Sequence, residues 1–228
     1  MTLFRDDPEW SRSRRQIRFD AFREATGVVD SEIERAFNLS QDEFIRHHVE
    51  EQQTLEPHHC IEHMAAELNL SLTPEVAEDL ARVFGESILQ HPPQPIDDAL
   101  EAVQAAAACC PIGIISDAGL SPGYCLRELL QRNGLHDHFT TLVFSDDVGV
   151  SKPQRAMFEA AAEGLGVALD EILHIGDLQP TDIAGAQAVG AQGALFTAAN
   201  DKFLGDTTAE HTFLSWRAFV ERLPELVG

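Results

Sequence analysis

The stretch EILHIGDLQPTDIAGA, residues 171–186, decides the fold. Ile172, Leu173 and Ile175 make a short apolar run that stops at Gly176, and Asp177 follows at once. Pro180 and the small residues behind it read as a helix start. Working outward, the same alternation repeats. On the amino side a helix at about 97–108 leads to PIGIIS (111–116), a helix at about 122–133, TLVFS (141–145) and a helix at about 153–164. On the carboxyl side a helix at about 180–189 leads to QGALFT (192–197) and a terminal helix at about 215–223. Strands alternating with helices through short connections imply right-handed β-α-β units and a parallel sheet covered on both faces.

Residues 9–90 have a different grammar and read as helices only. Ile17, Ala21, Phe22 and Ala25 share one helical face, with arginines opposite. Ser31-x-x-Glu34 and Ser40-x-x-Glu43 have the spacing of capping boxes. Thr73 followed by Pro74 is a third helix start, a capping hydroxyl and then a residue that lacks the amide to be capped. Three prolines in HPPQP (91–95) cannot continue a helix and read as the way out of this helical segment.

The 228 residues are 44% hydrophobic and 24% charged, which excludes a disordered chain. No apolar run approaches the roughly 20 residues of a membrane span. The start, MTLFRDDPEW, lacks a signal-peptide core, so a cytoplasmic protein is expected. With 16 basic against 38 acidic residues, the net charge of −22 repels a polyanion and argues against a nucleic-acid partner. Cys60, Cys109, Cys110 and Cys125 have no framework spacing and read as thiols. The oligomeric state is not legible.

In a parallel sheet of this kind ligands bind at the carboxyl ends of the strands, so the polar residues there are the candidates. Ser116 ends PIGIIS, and Asp117-Ala118-Gly119 follow, a turn that can present amides to an anion or simply cap a helix. Asp177 leaves the next marked strand and Asp182 lies five residues on. Two converging carboxylates make a hard oxygen site suited to Mg2+, although Asp182 is also at home at a helix amino end. Lys152, one of only two lysines, stands in VGVSKP before a helix, where it can neutralise clustered negative charge. Among the early histidines 47, 48, 58, 59 and 63, His59 and His63 have the spacing of a helical metal pair, but no pattern fixes a third ligand. Arg12, Arg14, Arg15, Arg18 and Arg23 read as a solvated face.

Taken together and in order, IISDAG with Ser116, VGVSKP with Lys152, and HIGDLQPTD with Asp177 and Asp182 resemble motifs two, three and four of the haloacid dehalogenase-like hydrolase superfamily. The resemblance covers nearly the whole chain. It implies a doubly wound, Rossmannoid parallel sheet with an inserted helical-bundle cap. The expected division is a remnant of the first motif and hinge at 1–8, a cap at 9–90 and a core at 91–228. The chain departs from the family at the first motif, D-x-D-G-T, which carries the nucleophile and the acid/base. Met1-Thr2-Leu3-Phe4 resembles only its tail, with Met1 at the Gly position. The first central strand is therefore expected to be largely missing, and both carboxylates to precede the start. Asp6 and Asp7 come after the Thr and do not replace them. A start assigned too late and a true truncation both remain open.

The resemblance implies a Mg2+-dependent phosphatase acting on a small phosphorylated metabolite through an aspartyl-phosphate. Lys152 and Thr2 would then be catalytic, Ser116, Asp117 and Lys152 would bind phosphate, and Asp177 and Asp182 would hold the metal. A 2-haloacid dehalogenase and an inactive binding protein of the same fold are the alternatives. Gly176-Asp177 in the fourth motif favours the phosphatase.

Overall fold

The computed structural model describes residues 2–47 and 51–227. Met1 and His48, both singled out above, lie outside the described residues. The chain opens in a two-residue strand, β1 (Phe4–Arg5), and passes through four helices, α1 (Pro8–Thr26), α2 (Asp30–Arg46), α3 (Pro57–Glu67) and α4 (Pro74–Gln90). It returns in β2 (Gln94–Pro95), which pairs antiparallel with β1. The proline-rich exit is thus half of a two-stranded tie rather than a bare linker. It stays short because proline offers no amide to a longer ladder.

Then follow α5 (Ala99–Ala107), β3 (Gly113–Ser116), α6 (Gly123–Arg132), β4 (Thr141–Phe144), α7 (Ser145–Val148) and α8 (Arg155–Leu165). After β5 (Leu173–Gly176) a π-helical turn, Gln179–Ile183, runs into α9 (Ala184–Ala188). The chain closes with β6 (Gln192–Phe196), β7 (His211–Phe213) and α10 (Trp216–Leu226). β3 pairs parallel with β4, and β5, β6 and β7 form a second parallel group in that order. The α/β reading holds. β7 went unread because its three residues carry no long apolar run.

Among the described residues no strand bridges β3 and β5. Leu3 packs against apolar clusters on both sides, one built on β6, β7 and α10, the other on β4, α6 and Leu135. Trp216 Nε1 donates to the Thr2 carbonyl at 3.1 Å and holds the start of the chain there.

The four early helices share their own core of Phe19, Phe22, Ile33, Phe37, Ile61, Met64, Leu80 and Phe84. The Phe37 ring meets Phe19 and Phe84 edge-on at 5.3 and 6.2 Å. Of the expected face of α1, Phe22 is buried and Ala21 packs against this core, while Phe19 takes the place of Ile17 and Ala25. Phe19 and Phe22 point inward because an aromatic ring buries more apolar area than Ile17 or Ala25. Arg14 is buried too, paired with Asp6 and donating to the His91 carbonyl at 2.8 Å, so the arginines are not one solvated face. Thr73 caps α4 and Asp7 caps α1. Neither serine box opens a helix. α2 already begins at Asp30, and Ser40 lies inside it, buried against Cys60.

Candidate active site

Side-chain contacts bring the sequence-selected residues together at the carboxyl ends of β3 and β5. β5 ends at Gly176, so Asp177 leaves the sheet at its carboxyl tip. The next turn folds back and buries Asp182 beneath it. Asp182 Oδ1 accepts from Lys152 Nζ at 2.7 Å and faces His174 Nε2 at 3.3 Å. Its Oδ2 accepts the Leu178 amide at 2.9 Å. Lys152 Nζ also donates to the Ile115 carbonyl of β3 at 3.3 Å, so one side chain reaches from β3 to the β5 turn.

Burial by itself favours the neutral forms of this pair, but charge wins. Asp182, with Lys152 and His174 against it, is held far below the ordinary carboxylate range. Lys152 is desolvated, yet Asp182, Asp117 and Asp177 together raise its pKa above the usual lysine value. Both groups are therefore ionised at neutral pH.

Asp177 is gripped from two sides. Thr2 Oγ1 donates to Oδ1 at 3.3 Å. Asn200 Nδ2, from the segment after β6, donates to Oδ2 at 3.1 Å and to the Asp177 carbonyl at 3.2 Å. Asp117 Oδ1 accepts the Lys152 amide at 2.9 Å, which ties the loop after β3 to the turn before α8. Ser116 Oγ donates to the Asp117 carbonyl at 3.4 Å, and the Ala118 amide is taken by Ser145 Oγ at 2.8 Å. Asp6 and Asp7 are occupied elsewhere, one on Arg14 and one as a cap.

His174, Asn200 and Ser145 were not anticipated. His174 had a legible signal. In β5 it shares a face with Gly176, so a histidine two residues before the strand tip points where Asp182 packs. Asn200 had none, since its contact spans 23 residues through the β6 connection.

Gly176 must be glycine for a reason of space. A methyl there would overlap the Asp182 side chain, which three hydrogen bonds hold in place. Gly176→Ala is expected to lower the unfolding free energy by about 1–3 kcal/mol, the range for overpacking a fitted core. Urea titration at neutral pH measures it, and an unchanged midpoint would show that Asp182 is not fixed.

The donor chemistry fits Mg2+. That ion takes one or two carboxylates and completes its shell with water and substrate oxygens. Asp177 supplies one carboxylate at the strand tip, with Asp182 adjacent and already engaged on both oxygens. Among the described residues no three His, Cys, Asp or Glu side chains are grouped to hold a metal. His59 Nδ1 instead accepts the Glu56 amide at 3.0 Å and caps α3. No helix among the described residues is long and apolar enough to cross a membrane.

Among known proteins, the chain is 36% identical over 97 residues to the pyrimidine 5′-nucleotidase YjjG of Escherichia coli, covering 42% of each chain. It spans less than half the length of the curated relatives it matches. A 2-haloacid dehalogenase structure from Pseudomonas syringae superposes with a TM-score of 0.69 at 18% identity, covering 99% of this chain and 93% of that one. The hydrolase YfnB of Bacillus subtilis, solved bound to magnesium, superposes with a TM-score of 0.64 at 16% identity, covering 93% and 92%. At such identities these two likenesses establish the fold. A haloacid dehalogenase-like hydrolase family model matches residues 2–190, and with the strand-tip motifs inside that span the chain belongs to the haloacid dehalogenase-like hydrolases.

Proposed function

We propose that this chain is a Mg2+-dependent phosphatase acting on a small phosphate monoester, with residues 9–90, which hold nearly all of helices α1–α4, as a cap over the 91–228 core and residues 1–8 as the joint. The observation that carries this reading is Asp177 at the tip of β5, beside the buried Lys152–Asp182 pair. A carboxylate next to a fixed ammonium suits a reaction that gathers negative charge at one point.

Each residue then has a task. Asp177 holds the metal, oriented by Thr2 and Asn200. Asp182 assists by fixing Lys152 and the Leu178 amide rather than by offering an idle oxygen. Lys152 offsets the charge of nucleophile and phosphoryl group, and Asp117 keeps its backbone in place. Ser116 lies at the tip of β3, where its hydroxyl can turn from the Asp117 carbonyl to a phosphate oxygen. When bound, Mg2+ supplies Lewis-acid stabilisation of charge on that phosphate. The nucleophile and the acid/base are assigned to the D-x-D pair that stands before Gly-Thr in the family pattern. The first forms the aspartyl-phosphate and the second protonates the leaving alcohol and then activates water.

The test is p-nitrophenyl phosphate hydrolysis by two proteins, one starting at Met1 and one with an in-frame strand ending in D-x-D-G ahead of Thr2. Only the second is expected to turn over, and only with Mg2+. Metal-independent chloride release from a 2-haloacid, or turnover by the Met1 protein that Lys152→Ala abolishes, would overturn the reading.

A further inference from the structure

The turn that carries Lys152 is held from two directions. From the core, Asp117 and Asp182 bind its backbone and its ammonium. From the helical side, the Gln52 carbonyl accepts two bonds, one from the Ser151 amide at 3.0 Å and one from Gln154 Nε2 at 2.8 Å. Gln53 faces Val150 in an isolated antiparallel bridge, and the Gln53 amide donates back to the His47 carbonyl at 3.2 Å. Ser151 is fully buried. Gln52 aims its carbonyl by adopting a φ of 53°, a left-handed conformation that an L residue takes only against steric resistance.

We infer that this main-chain bridge makes the helical unit a positioning element for Lys152. With residues 51–54 docked on 150–154, the turn is closed and the ammonium stays against Asp182. When the bridge opens, Gln52 relaxes to an ordinary backbone conformation, the Ser151 amide is released and the turn admits water to Lys152. Two neutral hydrogen bonds working against one strained residue make a contact that opens and recloses readily. The buried ion pair it covers is far costlier to break on its own. Closure of the helices over the strand tips and placement of Lys152 are therefore one event. The coupling stands independently of which reaction the site performs.

The composition offers a direct readout. Lys152 and Lys202 are the only lysines, Lys152 buried and Lys202 exposed. The ratio of their amine-labelling rates, read by mass spectrometry, reports the opening of the turn with an internal standard. Gln154→Ala removes one of the two bonds to Gln52 and is expected to raise the Lys152/Lys202 ratio about fivefold.

A second variant locks the bridge. Gln53 and Val150 flank the Ser151-to-Gln52 bond as a non-hydrogen-bonded pair, for which Cα atoms lie about 4.5 Å apart, within disulfide range. Gln53→Cys combined with Val150→Cys is expected to crosslink on mild oxidation, with peptide mapping separating this bond from the native thiols. The oxidised form should label at Lys152 about fivefold more slowly than the same protein reduced. Comparing two redox states of one protein keeps the test decisive even where Gln154→Ala disturbs folding. Failure to crosslink, or one labelling ratio for wild type, Gln154→Ala and both redox states, would overturn the proposal.

Discussion

Lys152→Met is expected to lower the unfolding free energy by about 3–5 kcal/mol, because it strands the Asp182 carboxylate in the interior without its cation. Methionine matches the length and apolar stem of lysine, so the loss is one of charge and not of volume. The pH profile separates this cause from simple misfolding. Asp182 has a folded pKa below its unfolded value. Its contribution is present above the unfolded carboxylate pKa and is lost as pH falls through the folded one. Lys152 has a folded pKa above its unfolded value of 10.5. Its contribution is present below that pH and fades as pH rises through the folded pKa. The wild type should therefore be most sensitive to strong acid and to strong alkali, with a plateau between. In Lys152→Met the alkaline contribution of this pair should vanish and the acid limb should shrink. Asp182 stays buried and keeps His174 and the Leu178 amide but loses the cation that lowers its pKa most, so its protonation costs the fold less. Urea titrations across the pH range measure both limbs. A variant as stable as wild type at neutral pH would show that the ion pair contributes nothing net.

Asp177→Asn is expected to reduce Mg2+-dependent turnover by about 10²–10³-fold in the protein that carries D-x-D-G ahead of Thr2. A neutral amide is a poor ligand for a hard cation. The substitution keeps side-chain shape, and its oxygen can still accept from Thr2 or Asn200. Stability should thus change little while the Mg2+ concentration needed for half-maximal rate rises. Asn200→Ala is the graded companion. It loosens the same carboxylate without removing it and should cost about tenfold in metal affinity, as lost outer partners of metal ligands do. Full activity of Asp177→Asn at low Mg2+ would remove Asp177 from the metal site. A loss matched by an equal fall in stability would make its role structural.

Much of this was legible in the residues themselves, for local reasons. Whether an apolar run becomes a strand, and which polar residue follows its last buried position, depends on neighbours in sequence. Asp177 could be placed at a strand tip because the run ends at Gly176, and Lys152 before a helix because Pro153 follows it. The α/β alternation and the separate helical stretch came from the same local periodicities. The pattern also misled where competing contacts were distant. Ser31 and Ser40 have capping spacing, yet packing of Ile33 and Phe37 onto the other helices extends α2 across both serines.

What only the tertiary structure decided is which atoms meet. Lys152 reaches Asp182 across 30 residues, Asn200 reaches Asp177 across 23, and Gln154 reaches Gln52 across 102. Those contacts follow from the order of strands in the sheet and from how the helices dock on its edge, and no local spacing encodes either. They show Asp182, a candidate metal ligand beside Asp177, as the buried partner of Lys152, and they join the helical unit to the turn beside it. The physical reason is that a charge pair or a main-chain bridge depends on separations of a few ångströms. Chain connectivity supplies such separations only between near neighbours. Everything farther apart is set by packing the whole sheet and its helices at once.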